Sequence, residues 1–254
     1  MKFGPDPVKS PTGSGLEHPV LSKDIQLYVI RPKLYQTPAV IWLKKKKCDV
    51  AATEEDKRLG RWILSSYDGD SIIVYQAYNP TIAEYACKHG KFSGCPEYNE
   101  RRMTWIKTNF LWMMYRSNWA HSPGQQRILA IWLHLRQSLA FDNYLRQSLS
   151  SVKEEAEQQR QNESIGTDGL IRLQWDPDHT PSGTSVEGRR AVQLGLKQVS
   201  TFLNGQDILR IIDITQFVHE QQNAKLEDLK VPIERIYEPD DLETREHVKL
   251  DLRV

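Results

Sequence analysis

The sequence predicts an α+β fold, in which a mixed and mostly antiparallel sheet is flanked by helices in a single domain. Segments typical of strands and of helices follow one another without the regular strand–helix repeat of a parallel α/β protein. The chain has 254 residues, of which 39% are hydrophobic and 26% charged. This composition is ordinary for a globular protein, and the length suffices for one sizeable hydrophobic core.

The N-terminal part of the chain, residues 1–57, is expected to be an extension that is partly disordered. Its beginning is rich in Pro, Gly and Ser and offers little apolar surface to offset the entropy of ordering. Two short apolar runs follow, Gln26–Ile30 and Ala39–Leu43, and each is typical of a strand. We expect the core domain to span residues 58–240 and to be followed by a C-terminal tail, residues 241–254.

A strand followed by a capped helix is the clearest local pattern of the core. Ser71–Tyr78 is β-branched and aromatic and follows the turn signal Asp68-Gly69-Asp70. Asn79 and Pro80 suit the N-cap and the first position of a helix, and Gly90 suits its C-terminal end. This pattern predicts a strand that turns directly into a helix.

The next segment predicts a strand, a helix and a buried strand. Arg102–Lys107 alternates in polarity, and Thr108 or Asn109 can cap a helix over Phe110–Trp119. Arg127–Leu135 is nearly all apolar, which is typical of a central strand buried on both faces. The remaining predictions are helices over Gln137 to about Glu163, Val199–Leu203 and Thr215–Ala224, strands over Leu170–Trp175, Arg190–Leu196, Ile208–Ile214 and Val231–Tyr237, and a loop over Asp176–Gly188.

Positive charge and tryptophan are concentrated in residues 101–141. This segment has six Lys or Arg and no Asp or Glu, and it contains four of the seven tryptophans. Cations interleaved with flat aromatic faces suit a ligand that carries phosphate and a base to stack on. The segment therefore predicts a site for a nucleotide, a dinucleotide or a nucleic acid.

A structural explanation of the same charge pattern stays open. Residues 213–251 carry eleven acids against five Lys or Arg, so the net charge of +1 is a cancellation of two opposite regions. The two surfaces can simply pair within one domain. In that case Arg116 and Arg127 would bind acidic side chains rather than a ligand.

Several classes of protein lack support in the sequence. No apolar run approaches the roughly 20 residues of a membrane helix, and the N-terminus has no secretory signal, so we expect a soluble cytoplasmic protein. The cysteines Cys48, Cys87 and Cys95 are odd in number, and the spacing of Cys87, His89 and Cys95 is unusual for zinc, so no metal is expected. Glycine-rich phosphate loops and the hydrolase motifs Gly-x-Ser-x-Gly and His-Glu-x-x-His are missing.

Longer motifs resemble a known family. YQAYNPTIAEYACKHGKF and RMTWIKTNFLWMMYRSNWA, followed by QQRILA, LQWDP, RAVQLGL, DIT and PIERIY, are similar to the family called domain of unknown function 4291, which occurs in bacteria and fungi. The resemblance covers about residues 58–240. It implies the identity of the domain but no activity, because none is agreed for the family.

The chain departs from the family pattern at one position. Members usually carry Arg three residues before the tyrosine that corresponds to Tyr67, whereas this chain has Leu64 there and Arg61 earlier. If the family's Arg binds a ligand, then either Arg61 replaces it or this chain binds more weakly.

The first functional hypothesis is a nucleotide- or NAD-binding transferase of ADP-ribosyltransferase type. The order of the predicted elements is similar to that fold, an argument by analogy only. In this chemistry Tyr75 or Tyr78 and Trp105 would clamp rings, and Gln76 and Thr104 would orient a ribose. Phosphate would be held by Arg102, Lys107 and Arg116, since guanidinium groups pair well with pyrophosphate. Glu234 would be the catalytic acid.

Two alternatives belong to other classes. The basic aromatic segment also fits single-stranded nucleic acid, bound without catalysis, although the chain is not basic overall and has no recognised reader motif. A different enzyme or a partner-binding protein is the third. Each candidate residue also has a structural explanation, since Trp105 suits a core position and Glu234, next to Arg235, suits a surface ion pair.

Overall fold

The computed structural model describes residues 45–47, 59–136, 138–150 and 169–251. All of them belong to one compact unit, residues 38–254. The strands predicted at Gln26–Ile30 and Ala39–Leu43 lie outside the described residues. Within those residues, no helix is both long and apolar enough to cross a membrane.

The described residues form eleven strands and six helices. The strands are β1 (Lys45–Lys47), β2 (Gly60–Arg61), β3 (Ile63–Ser65), β4 (Ser71–Tyr78), β5 (Thr104–Lys107), β6 (Arg127–His134), β7 (Leu170–His179), β8 (Ser185–Lys197), β9 (Ile208–Asp213), β10 (Lys230–Pro232) and β11 (Arg235–Tyr237). The helices are α1 (Pro80–His89), α2 (Phe110–Ser117), α3 (Ala140–Gln147), α4 (Ser200–Leu203), α5 (Thr215–Gln222) and α6 (Leu242–His247).

A seven-stranded sheet organises the fold. Its order is β2-β8-β5-β4-β6-β9, and β7 pairs with β8 in a long hairpin. The β2–β8 pair is parallel, whereas the other pairs of this sheet are antiparallel. The predicted α+β class, with a mixed and mostly antiparallel sheet, is therefore confirmed.

Hydrophobic clusters cover both faces of this sheet. Along β4, Ile72 and Val74 belong to one cluster, and Ile73 and Tyr75 belong to the other. The strand β6 lies between β4 and β9 and is buried on both faces, as its apolar run predicts. The strands β4 and β6 therefore form the centre of the hydrophobic core, and polar side chains are found toward the end of β4 and on β5.

The helices that flank the site begin with the caps that the sequence predicts. The Asn79 side chain accepts a hydrogen bond from the backbone N of Ile82, and Pro80 takes the first helical position of α1. The Asn109 side chain accepts from the backbone N of Trp112 at the start of α2. Local polar residues thus set the entry of both helices.

The hairpin of β7 and β8 is longer than the sequence predicts. The segment Asp176–Gly188 was expected to be a loop, but β7 continues to His179 and β8 begins at Ser185. The polar character of the segment has a local cause, since the buried Asp178 carboxylate pairs with Arg189 Nε at 2.5 Å. Paired polar groups can be buried in strands, which the composition alone does not reveal.

Two further segments depart clearly from prediction, whereas the other boundaries differ by one or two residues, as at α2, which ends at Ser117 rather than Trp119. The helix expected from Gln137 to about Glu163 ends at Gln147, because Leu149 forms a β-bridge with Arg172. Residues 137 and 151–163 of that prediction lie outside the described residues. The last strand, expected over Val231–Tyr237, is split into β10 and β11, which pair with β1 and β3 respectively. Pro232 lacks the N–H that a continuous strand would use.

The segment expected to be a C-terminal tail contains structure. Helix α6 is capped by Asp241, whose carboxylate accepts from the backbone N of Glu243 and of Thr244. Val248 and Leu250, which follow it, are buried in the larger hydrophobic cluster. Residues up to Asp251 thus pack against the core.

Candidate functional site

A pocket of about 600 Å³ opens where the C-terminal end of β4 faces the start of β5. This volume is within the range of sites for small molecules and cofactors. Side chains and backbone of several elements line it: Gln76, Tyr78, Asn79, Ile82, Glu97, Tyr98, Arg102, Met103, Thr104, Trp105, Lys107, Arg116, Pro123, Gly124, Gln125, Gln174 and Gln193.

The pairing of β4 and β5 explains why the pocket is there. The two strands pair at Tyr75↔Lys107, close to the C-terminal end of β5. Because they run antiparallel, residues 76–78 of β4 lie toward residues 104–106 of β5, where no further pairing occurs in the described sheet. Side chains of Gln76, Tyr78 and Thr104 fill this gap and form the polar floor of the pocket.

The floor is a connected hydrogen-bond network. Gln76 Nε2 donates to Thr104 Oγ1 at 3.2 Å, and the Tyr78 and Thr104 hydroxyl oxygens lie 2.7 Å apart. Burial raises the pKa of Tyr78 and of Tyr98 above the ordinary value, so both phenols are neutral at physiological pH. The floor thus offers hydroxyl and amide groups without charge.

Lys107 is a buried cation at the edge of this floor, with only 4% of its surface exposed. Its Nζ donates to Gln76 Oε1 at 3.1 Å and to the Trp105 carbonyl oxygen. Burial, followed by the nearby charge of Arg116, lowers the pKa of Lys107 to about 7, whereas Asp176 opposes the change. Burial therefore favours the neutral amine at this position.

Two arginines bring positive charge to the mouth of the pocket. Arg102 precedes β5, Arg116 lies in the last turn of α2, and both are exposed while lining the cavity. Among the lining residues, all of which the structure describes, Glu97 is the one carboxylate. It is held by Asn79, whose Nδ2 donates to Glu97 Oε2 at 2.6 Å. The pocket therefore favours anions.

Trp105 forms an aromatic wall that depends on a glycine. It pairs with Gly195 of β8, where an added Cβ would lie 2.5 Å from Met103 Sδ and 3.0 Å from Trp105 Cη2. On the next strand, the Arg172 guanidinium lies 6.0 Å from the centroid of the Trp105 ring. The absence of a side chain at Gly195 thus makes room for the indole and for Met103.

Register across the sheet brings a second polar row to the pocket. Lys107 pairs with Gln193, and Gln193 pairs with Gln174. Gln193 Nε2 donates to Gln174 Oε1 at 3.0 Å and to Asp176 Oδ2 at 2.6 Å. Burial raises the pKa of Asp176, although the charge of Lys107 acts against this effect. Amide groups thus separate the pocket from a half-buried acid.

An unusual backbone turn forms another wall. After α2, three consecutive residues that are not glycine have positive φ, namely Asn118 (49°), Trp119 (52°) and Ala120 (69°). Each such residue costs roughly 1–2 kcal/mol relative to ordinary backbone. The turn leads the chain to Pro123, Gly124 and Gln125, which line the pocket.

Seven of the eight residues predicted to bind a cofactor lie around this pocket: Gln76, Tyr78, Arg102, Thr104, Trp105, Lys107 and Arg116. Tyr75 lies elsewhere, because its side chain is fully buried on the opposite side of β4 and packs edge-on against Phe110. Glu234 lies at the start of α2, where it accepts from the backbone N of Phe110 and from Asn109 Nδ2. It does not line the pocket.

Sequence reasoning missed several lining residues. Glu97, Tyr98 and Gln125 come from loops, and Gln174 and Gln193 come from strands that only the sheet register places here. Gln174 and Gln193 could have been identified as candidates, since both occur in segments that carry the family resemblance. Arg61, the suggested replacement for the family's Arg, lines a different cavity beside Trp175, and Leu64 is buried.

Cysteine and histidine offer no assembled metal site in the part of the chain that the structure describes. Cys95 is buried, and Cys87 lies on α1. Desolvation and the charge of Asp213 raise the pKa of Cys87 although the residue is exposed, so the thiol form is favoured over the thiolate.

Fold and site together define an α+β protein with a cationic, aromatic pocket between two diverging strands. The chain matches the family model described as Domain of unknown function (DUF4291) over residues 62–237, and it belongs to this family. Comparison with curated proteins and with solved structures finds no match.

Proposed function

We propose that this protein binds a nucleotide of the NAD type in the pocket and transfers its ADP-ribose group. The observation that carries the proposal is the convergence of Arg102, Lys107 and Arg116 on one cavity beside Trp105. Guanidinium groups bind phosphate oxygens by two parallel hydrogen bonds, and an indole offers a flat face for stacking. A pyrophosphate with attached rings meets both requirements.

The neutral floor suits the part of the ligand where transfer occurs. Gln76, Thr104 and Tyr78 present amide and hydroxyl groups that can hydrogen-bond to a ribose. When the bond to nicotinamide breaks, the ribose carbon becomes positive and is stabilised by a nearby carboxylate. In the pocket this role falls to Glu97, whereas Glu234, the acid expected from the sequence, contacts the start of α2.

The experiment compares ligand binding in matched arginine variants. We expect NAD and ADP-ribose to raise the melting temperature of the wild type, and Arg102→Ala and Arg116→Ala each to weaken binding about tenfold or more, which is about 1.4 kcal/mol. Arg136→Ala is the control, because Arg136 belongs to the same basic segment but is exposed and pairs with Asp70, away from the pocket.

Catalysis is tested by release of nicotinamide from NAD. We expect Glu97→Gln to reduce the rate at least about tenfold with little change in affinity, since the carboxylate acts on the transition state. Glu234→Gln is measured in parallel. If Glu234→Gln alone reduces the rate of nicotinamide release, then Glu234 is the catalytic acid. If neither the wild type nor any variant binds nucleotide, the proposal is contradicted.

The second candidate, a module for single-stranded nucleic acid, is favoured by the Arg172–Trp105 contact, because it extends the aromatic and cationic surface onto β7. Stacking on such a surface contributes roughly 1–3 kcal/mol per base. Binding of a single-stranded RNA oligomer that weakens steeply with salt, without binding of NAD, would favour this candidate.

A further inference from the structure

The amino group of Lys107 has an unusual environment for a lysine. It is almost fully buried, and its two hydrogen-bond acceptors, Gln76 Oε1 and the Trp105 carbonyl oxygen, are both neutral. A buried ammonium is ordinarily paired with a carboxylate, because burial removes the hydration that stabilises its charge. These surroundings therefore favour the neutral amine of Lys107 over the ammonium.

The charged groups around Lys107 act in opposite directions. Arg116, which faces it from α2, disfavours the ammonium form, and Asp176 on β7 favours it. The Trp112 ring lies 5.3 Å from Nζ and gives only weak support to the charge. Burial and Arg116 together outweigh the support from Asp176, and the pKa of Lys107 falls to about 7.

Lys107 also lines a cavity whose charged groups favour anions. Lys107 lines the pocket together with Arg102 and Arg116, so a ligand fixed by its phosphate would meet a neutral amine within the same cavity. A lysine that is desolvated and lies close to another cation is the recognised arrangement of an amine nucleophile.

We propose that Lys107 is a nucleophile that forms an imine with the carbonyl carbon of a phosphate-bearing aldehyde. The Nζ lone pair forms the new C–N bond while the carbonyl π electrons move to oxygen. Transfer of one proton from nitrogen to that oxygen gives a carbinolamine. Its hydroxyl then leaves together with the remaining N–H proton as water, and C=N forms. No oxidant or reductant is consumed, and the bond reverts by hydrolysis.

The inference rests on the proposed function for the position of the ligand. ADP-ribose, the group that would be transferred, has a reducing ribose whose open-chain form is an aldehyde that carries phosphate. The same chemistry is offered by pyridoxal 5′-phosphate, which serves as the probe because its imine can be reduced to a stable amine and located by mass spectrometry.

The test labels the whole protein with pyridoxal 5′-phosphate at limiting concentration, reduces it with borohydride and compares individual lysines. We expect Lys107 to be labelled roughly tenfold or more faster at pH 7 than exposed lysines such as Lys88, because burial favours the neutral amine of Lys107. The labelling rate of Lys107 should rise with a midpoint near pH 7, and Arg116→Ala should move that midpoint upward.

The variants and a competitor make the outcomes distinct. Lys107→Arg should lose the fast label, whereas Lys88→Arg should retain it. Protection of Lys107 by ADP-ribose supports both proposals, and fast labelling without such protection supports the amine while contradicting the proposed nucleotide site. Labelling of Lys107 no faster than that of exposed lysines overturns the inference, even where nucleotide binding is observed.

Discussion

The Glu234 carboxylate accepts a hydrogen bond from the backbone N of Phe110, the first residue of α2, at 2.5 Å. The same carboxylate accepts from Asn109 Nδ2 at 2.9 Å. Free backbone N–H groups at a helix start carry partial positive charge and are stabilised by an anion. Glu234 therefore joins the link between β10 and β11 to the helix that carries Arg116.

This contact predicts a structural effect of removing the carboxylate. We expect Glu234→Ala to lower the free energy of unfolding by about 1–2 kcal/mol, as for loss of a helix cap. Nucleotide affinity should change less than about threefold, because the side chain lies outside the pocket. Urea unfolding and calorimetric titration measure the two quantities. Unchanged stability combined with lost nicotinamide release would instead indicate direct catalysis.

The buried amine predicts a pH-dependent stability of the ligand-free protein. The pKa of Lys107 is about 7 in the folded state and near its ordinary value of 10.5 when unfolded. Between these values the unfolded chain binds more protons, so the unfolding free energy should rise with pH, by at most about 1.4 kcal/mol per pH unit. Below pH 7 this contribution becomes constant.

Lys107→Met is the reference for this measurement, since it fills the same space without a titrating group. The difference in unfolding free energy between wild type and Lys107→Met should change steadily in favour of the wild type from pH 7 to pH 9. Parallel stability curves of the two proteins over this range would show that Lys107 titrates normally.

Asn79 offers a way to disturb Glu97 without losing a helix cap. Its Oδ1 accepts from the backbone N of Ile82, while its Nδ2 donates to Glu97 Oε2. Asn79→Asp keeps the cap acceptor but replaces the donor with a second carboxylate, which repels Glu97. We expect stability within about 1 kcal/mol of the wild type and a clear loss of nicotinamide release.

Asn79→Ala is the matched comparison, because it removes both the cap and the contact to Glu97. It should lower stability by about 1 kcal/mol or more. If Asn79→Asp releases nicotinamide as fast as the wild type, then the position of Glu97 does not matter to the reaction.

The glycine next to Trp105 predicts an effect on binding that exceeds the effect on stability. A methyl group at Gly195 would displace Met103 Sδ, the flexible end of a side chain that lines the pocket. We expect Gly195→Ala to cost about 1 kcal/mol of stability or less, yet to weaken nucleotide binding severalfold and to shift the tryptophan emission. Equal affinities of Gly195→Ala and wild type would show that this wall does not contact the ligand.

Local chemistry explains which parts of the fold the sequence predicted well. The strand Ser71–Tyr78 and the Asn79-Pro80 helix start were predicted to the residue, because adjacent side chains determine both. The ion pair of the buried Asp178 with Arg189 joins positions eleven residues apart, across a hairpin in a segment that was expected to be a loop. Such pairing is set by register and cannot be read from polarity alone.

The same distinction applies to the site. The basic segment contributes Arg102, Trp105, Lys107 and Arg116 to one pocket, since they lie just before β5, on β5 and on α2, which follow one another closely in sequence. The position of Glu234 could not be predicted, because it depends on how distant β10 and β11 pair with other strands. The burial that alters Lys107 is likewise a property of the assembled sheet.

The left-handed turn at Asn118, Trp119 and Ala120 ties two sides of the pocket together. Arg116 precedes it by two residues, and Pro123 follows it by three. Relaxation of this turn to ordinary backbone would release stored conformational energy and shift both sides at once. The end of α2, with Arg116, and the loop at Pro123 are thus coupled through the backbone. A substitution in evolution that shifts this loop would therefore also change the direction of the Arg116 guanidinium.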